Sequence, residues 1–251
     1  MRISHWPIAL LSILTFVSCS HWEQSLKDHE KAKFYLQIAT DHLGEKEYGK
    51  ALESTQEAIK IDPSYAAAHN HLALIYMETK RYDRSLEAFQ KALELQPQYP
   101  EVFNNLGVLM NRQEKYQQAI AYFEKALADE NYPTPENAYT NMGYSYYKIG
   151  DSVRAKVYHQ KALDIVPQFC LASKNMGDVY AKEKNFDKAA DYFQRALTNC
   201  PLYQESQYKL GLTLMKTGQK KVARNHFQTL VDKHKSGPYV DRSQSLLKLL
   251  Q

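Results

Sequence analysis

The sequence predicts an all-α protein assembled from a repeated unit, and three observations carry that prediction. Similar segments return along the chain: KALESTQEAIKIDP, RSLEAFQKALELQP, QAIAYFEKALADEN, RAKVYHQKALDIVP, KAADYFQRALTNCP and VARNHFQTLVDKHK. They place Ala51, Ser85, Ala119, Ala155, Ala189 and Ala223 in one column, at intervals of 34, 34, 36, 34 and 34 residues. A second column runs Ala58, Ala92, Ala126, Ala162 and Ala196 and ends in Leu230, while a third holds Pro63, Pro97, Pro167 and Pro201, with Asn131 in the remaining place. Finally, 9 glycines against 44% hydrophobic and 24% charged residues in a chain of 251 suit a folded, helix-leaning protein.

Further columns identify the unit. The small residues Ala39, Ala73, Gly107, Gly143, Gly177 and Gly211 each follow a large apolar one: Ile38, Leu72, Leu106, Met142, Met176 and Leu210. Aromatics recur as Tyr48, Tyr82, Tyr116 and Phe186, and again as Phe89, Phe123, Phe193 and Phe227, with Thr55 and His159 as the exceptions in that last column. This pattern resembles the tetratricopeptide repeat, a pair of antiparallel helices in about 34 residues. The resemblance implies a right-handed superhelical solenoid with a concave groove, in which stacked hairpins bury faces that none can bury alone. Six units are expected, at 32–65, 66–99, 100–135, 136–169, 170–203 and 204–235. The prolines fall where each second helix must stop, because Pro lacks an amide donor and disfavours a helical residue before it. Residues 236–251 hold a Gly-Pro break and then Leu246, Leu247, Leu249 and Leu250, which reads as a helix capping the open end of the stack.

The first residues read as a targeting segment. Arg2 precedes an apolar run from Ile8 to Val17, which is shorter than the roughly 20 residues needed to span a bilayer. Val17, Ser18 and Cys19 resemble the lipobox of bacterial lipoproteins, although Phe16 stands where Leu is usual. The resemblance implies a signal peptide at 1–18, acylation at Cys19, and a lipid-anchored tether at 19–31. An ordinary cleaved signal and an uncut anchor are the alternatives. Ser20 after the Cys implies, by the same resemblance, the periplasmic face of the outer membrane; a soluble periplasmic or an inner-membrane-anchored protein are the other possibilities. With 32 basic and 28 acidic residues and no long single-sign run, the charge pattern argues against a nucleic-acid partner.

No catalytic constellation emerges, so no enzyme, cofactor or metal is expected. His69 and His71 point about 200° apart on a helix and cannot share a metal, while His159 reads as a core filler in an aromatic column. There is no P-loop, nucleophile elbow or glycine-rich dinucleotide loop. Cys170 and Cys200 fall at the same end of the fifth hairpin, which makes a disulfide geometrically possible; two separate buried thiols are the alternative. Groove positions taken from the repeat nominate Leu74, Met77, Asn104, Val108, Asn111, Tyr144 and Tyr147 as partner contacts, since Tyr offers contact area and Asn can bond a peptide backbone. Arg112, Lys148, Lys182 and Lys216 form a basic column along one rim, which reads either as a contact for an acidic partner or as a solvated face. A chaperone-type carboxylate clamp is not expected, because Leu36 and Thr40 occupy its first positions.

The one irregular interval falls in ADENYPTPENAYTNMGYSYYKIGD, residues 128–151. There Tyr132, Pro133, Pro135, Ala138, Tyr139, Asn141 and Gly143 resemble the third-to-fourth junction of the PilF/PilW family of type IV pilus biogenesis lipoproteins. Tyr144 and Ser145 stand where that family often carries Cys, so its cysteine pairing is not carried over. The resemblance implies a pilotin, a lipoprotein that binds secretin subunits or other pilus assembly proteins and helps secretins reach and multimerise in the outer membrane. A different periplasm-facing scaffold for envelope or outer-membrane assembly is the competing expectation.

Overall fold

A computed structural model describes the backbone of residues 8–250 and the side chains of 22–250. Among the described residues there are thirteen helices and no strand: α1 (Ile8–Gly44), α2 (Tyr48–Ile61), α3 (Ala66–Glu78), α4 (Tyr82–Leu95), α5 (Pro100–Arg112), α6 (Tyr116–Leu127), α7 (Pro135–Lys148), α8 (Ser152–Ile165), α9 (Cys170–Lys182), α10 (Phe186–Asn199), α11 (Gln204–Lys216), α12 (Lys220–Lys233) and α13 (Pro238–Leu249). The chain divides between Leu109 and Met110, within α5, into an N-terminal and a C-terminal body. In the N-terminal body α1 pairs with α2 and α3 with α4, and α2 and α1 both meet α3. In the C-terminal body the hairpins α7/α8, α9/α10 and α11/α12 stack in order, with α6 against α7 and α13 against both α12 and α11.

The small-residue columns are what let these helices approach. Ala51, Ser85, Ala119, Ala155, Ala189 and Ala223 are all fully buried, and so are Ala58, Ala92, Ala126, Ala162 and Ala196. In the last three hairpins the ring of the second helix lies on the glycine of the first: His159 on Gly143, Phe193 on Gly177 and Phe227 on Gly211. A Cβ added to Gly177 would stand 2.6 Å from the Phe193 ring, and one on Gly211 2.5 Å from the Phe227 ring. Gly177→Ala is therefore expected to cost about 1–3 kcal/mol by overpacking. Gly49→Ala, where nothing lies within 4 Å, should be neutral or stabilise by up to about 1 kcal/mol through helix propensity. Urea unfolding of both variants checks this, and equal costs at the two sites would count against the ring-on-glycine packing.

The turns inside the hairpins share one device. A left-handed residue sits at Lys46, Lys80, Glu114, Gly150, Lys184 and Gly218, with φ of 61, 60, 60, 90, 60 and 80°. Four of the six are not glycine, so each of those four adopts a conformation that costs an L-residue about 1 kcal/mol or more. Two second helices begin at a side-chain cap: Asp151 accepts from the amide of Arg154 at 2.9 Å and Asn185 from that of Lys188 at 3.3 Å.

The irregular interval lies in the link between α6 and α7. Its two extra residues leave both helices intact, with Pro135 in the first turn of α7, where its missing amide has no helical partner to lose. Tyr132 in that link is buried at 5% exposure, so the insertion is anchored into the body. At the other end, the segment expected to be a tether is helical: α1 runs without a break from Ile8. Residues 22–31 contain no Gly or Pro, and pairs such as Gln24 with Asp28 at 2.8 Å support continuation along the exposed face. Among the described side chains the first buried one is Ala32, where the repeat packing begins. The side chain of Cys19, the expected lipidation site, lies outside the described residues. No helix among the described residues is long and apolar enough to cross a membrane.

Candidate functional site

In the N-terminal body the expected contacts divide. Leu74, Asn104 and Val108 are half-buried and reach the surface, but Met77 is 4% exposed. Met77 is therefore corrected from a partner contact to a core residue. Its flexible thioether suits gap-filling, whereas the shorter Ala181 at the matching position stays half-buried. The two histidines separate as their spacing demands. His69 donates from Nε2 to the Pro63 carbonyl at 3.0 Å. His71 is buried; the Thr55 hydroxyl donates to the Ala51 carbonyl at 2.8 Å and so accepts from His71 Nδ1 at 2.9 Å. Burial pushes the His71 pKa down to about 4, so the ring is neutral. Thr55, an exception in the aromatic column, is explained by this bond.

In the C-terminal body the first helices α7, α9 and α11 carry the polar and aromatic groups. Asn111 is already engaged, its Oδ1 accepting from the Ser145 hydroxyl at 2.8 Å. Tyr144 is 36% exposed and Tyr147 half-buried. The two tyrosines meet two members of the basic column, Lys148 and Lys182. Lys148 Nζ lies 5.6 Å from the Tyr116 ring and 6.0 Å from the Tyr144 ring. Lys182 Nζ sits 4.7 Å over Tyr147 and donates to its carbonyl at 3.2 Å. Each ammonium–ring contact contributes about 0.5–1 kcal/mol at an exposed site. These lysines are thus seated on aromatic faces, which the periodicity alone did not reveal.

Behind them lies a four-membered ion network joining α9 to α11. Lys209 contacts Asp178 at 2.6 and 2.8 Å and Glu205 at 2.8 Å, while Lys174 lies 3.4 Å from each carboxylate. Two cations meet two anions, so the network is neutral in itself. Burial alone would raise the Glu205 pKa, but the charge of Lys174 and the hydrogen bond from Lys209 outweigh it and hold the carboxyl below its usual range. Burial would likewise lower Lys209, and the charge and hydrogen bond of Asp178 reverse that, so the ammonium is held above its usual value. The sequence hides this cluster because Asp178 and Lys209 are 31 residues apart, one repeat minus one helical turn.

Above the network opens a cleft of about 390 Å³, lined by Tyr147, Asp178, Ala181, Lys182, Phe186, Phe193, Lys209, Leu212, Thr213 and Lys216. Of the seven nominated groove contacts Tyr147 lines it, together with Lys182 and Lys216 of the basic column. At the far end of the same hairpins, Cys170 and Cys200 are joined by a disulfide with their Cα atoms 6.2 Å apart, linking the first residue of α9 to the residue that ends α10. His159, in α8, is fully buried, and neither ring nitrogen has a partner. It covers Gly143 as Phe193 covers Gly177, with a Cβ there standing 2.6 Å away, so it is a core filler rather than a base.

Comparison with known proteins places this geometry. Models described as tetratricopeptide repeat match residues 64–129, 101–168, 170–203 and 205–236, and one described as TPR repeat matches 45–80. Among solved structures the chain is similar to PilW, described as a widely conserved type IV pilus biogenesis factor. The TM-score is 0.75 at 28% identity, over 86% of this chain and 98% of that one. The fold of PilF from Pseudomonas aeruginosa is matched at a TM-score of 0.71 and 21% identity, over 87% of this chain and 99% of that one. Curated relatives are matched over short stretches. Tetratricopeptide repeat protein 14 of Mus musculus is 35% identical over 31% of this chain but only 10% of its own length, and ycf37 of Pyropia yezoensis is 31% identical over 25% of this chain and 35% of its own. With matched repeats from residue 45 to 236 and the stacked hairpins seen here, the chain belongs to the tetratricopeptide repeat family.

Proposed function

We propose that the protein is a membrane-tethered scaffold of type IV pilus biogenesis, acting as a pilotin that assists secretin subunits to reach and multimerise in the outer membrane. The observation that carries this reading is the likeness to PilW, which spans 86% of this chain and 98% of that protein. Fold alone would not reach so far, since tetratricopeptide arrays serve many processes. The Cys170–Cys200 bond supports a location outside the reducing cytoplasm. The Val17-Ser18-Cys19 sequence supports an acyl anchor, whose chains contribute about 0.8 kcal/mol per buried methylene. The mechanism is stoichiometric: the acyl chains direct the complex to the membrane while the repeats hold part of the partner until its ring closes.

The test is a clean deletion, complemented either by the wild-type gene or by Cys19→Ala. Deletion should abolish twitching motility and heat-resistant secretin multimers, and Cys19→Ala should leave the protein in the soluble fraction and fail to restore the multimers. Normal multimers in the deletion strain would sink the pilotin reading, and unchanged membrane fractionation of Cys19→Ala would sink the anchor.

A further inference from the structure

The α9/α11 cleft has a chemical character that the scaffold reading does not specify. Its floor is apolar, made by Ala181, Phe186, Phe193 and Leu212. Inside it, Lys209 and Asp178 neutralise one another at 2.6 Å. At its mouth stand Lys182 and Lys216, both exposed. Neither makes an ion pair among the described residues, and Lys182 is held in place by the Tyr147 ring and carbonyl. The cleft therefore presents an apolar seat beneath two uncompensated positive charges. The whole cleft, at about 390 Å³, is at the small end of ligand pockets, which run from about 300 to 1,000 Å³, and suits one large side chain with its flanking groups rather than a folded element.

We propose that this cleft binds a segment of a protein partner in which an aromatic or aliphatic side chain is flanked by carboxylates. The side chain enters between Phe186 and Leu212, and the flanking carboxylates meet Lys182 and Lys216. A flanking lysine or arginine is rejected by the same two charges, so the pair sets specificity and association rate as well as affinity. The inference rests on the reading of the chain as a protein-binding scaffold and names the chemistry of the partner.

The test uses the purified chain and two fluorescein-labelled peptides, one containing Asp-Phe-Asp-Leu-Asp and one with Asn in place of every Asp, followed by fluorescence anisotropy. The acidic peptide should bind about tenfold more tightly. Lys182→Gln with Lys216→Gln, which keeps most of each aliphatic stem, should abolish that preference, and the paired Arg variants should retain it; two rim ion pairs at up to about 0.7 kcal/mol each give that factor. Unchanged thermal unfolding of the Gln variant establishes that the loss is one of charge. Equal affinity for the two peptides overturns the proposal, as does full acidic preference in the Gln variant. So does binding of phosphatidylglycerol vesicles that the Gln substitutions abolish while the peptides go undiscriminated, since that would make the lysines a membrane contact. Secretin multimers scored in the deletion strain and in the Gln strain keep the two readings apart. Multimers lost only on deletion, with no peptide discrimination, remove the cleft and leave the pilotin; multimers retained on deletion, with peptide discrimination intact, do the reverse.

Discussion

Reducing the Cys170–Cys200 disulfide is expected to destabilise the C-terminal body by about 3–4 kcal/mol. The bond joins residues 30 apart in sequence, and the loop-closure entropy that it removes from the unfolded chain is of that size for a loop of about 30 residues. It closes the fifth hairpin at the end opposite its internal turn, so both ends of α9 and α10 are tied. In a stacked array each hairpin is stabilised chiefly by its neighbours, and α9/α10 lies between α8 and α11. Loosening it should therefore weaken the stack on both sides, including the α9/α11 ion network. Urea unfolding followed by circular dichroism, with and without dithiothreitol, measures the loss. Cys170→Ala with Cys200→Ala should unfold at the same lowered midpoint and be insensitive to the reductant. Identical midpoints for oxidised and reduced wild type would refute the expectation.

How far the sequence led depended on what each column encodes. Close helix approach demands a small side chain at a fixed register, so Ala51 through Ala223 announced the packing before any coordinates, and all six residues of that column are buried. The repeats, their link lengths and the final helix were legible for the same reason. The internal turns were not, because the left-handed position is held by Lys or Glu in four hairpins and by Gly in only two; the conformation is imposed by the helices on either side rather than by the residue. Surface chemistry was legible only in part. Tyr144 and Tyr147 do reach the surface, yet Met77 is folded into the core, and Asn111 is spent on Ser145. Periodicity gives the direction in which a side chain leaves its helix, not what it meets there. The Lys174–Asp178–Glu205–Lys209 network and the lysines seated on tyrosines depend on contacts between repeats, which a column-by-column reading cannot supply.

Mild acid should destabilise both bodies, chiefly through His71 in the N-terminal body and His159 in the C-terminal one, each contributing about 2 kcal/mol between pH 7.5 and pH 5. Burial lowers the pKa of His159 to about 3, with the charge of Lys174 as a smaller cause, and that of His71 to about 4. In the unfolded chain both titrate near 6.5. The folded state holds each ring neutral while the unfolded state takes up its proton, so the stability contributed by the neutral ring is complete above about pH 6.5. It is lost as pH falls, at about 1.4 kcal/mol per unit for each histidine, until the folded ring protonates in turn. The decline should level off near pH 4 in the N-terminal body and nearer pH 3 in the C-terminal one. His159→Phe separates this effect from general acid unfolding. Phe occupies the matching position at Phe89, Phe123, Phe193 and Phe227, so the ring fits, and two buried nitrogens without partners are removed. The variant should be more stable than wild type by about 1–3 kcal/mol at pH 7.5, and the pH slope of the C-terminal body should shrink to the part that half-buried His226 supplies, its pKa also being lowered by burial. Amide hydrogen exchange in α7 and α8, corrected for the intrinsic rate at each pH, reads that body directly. Thr140, Ser173 and Ser206 also bury unpartnered hydroxyls, but hydroxyls do not titrate in this range, so a pH slope undiminished in His159→Phe would assign the acid sensitivity to groups other than the His159 imidazole.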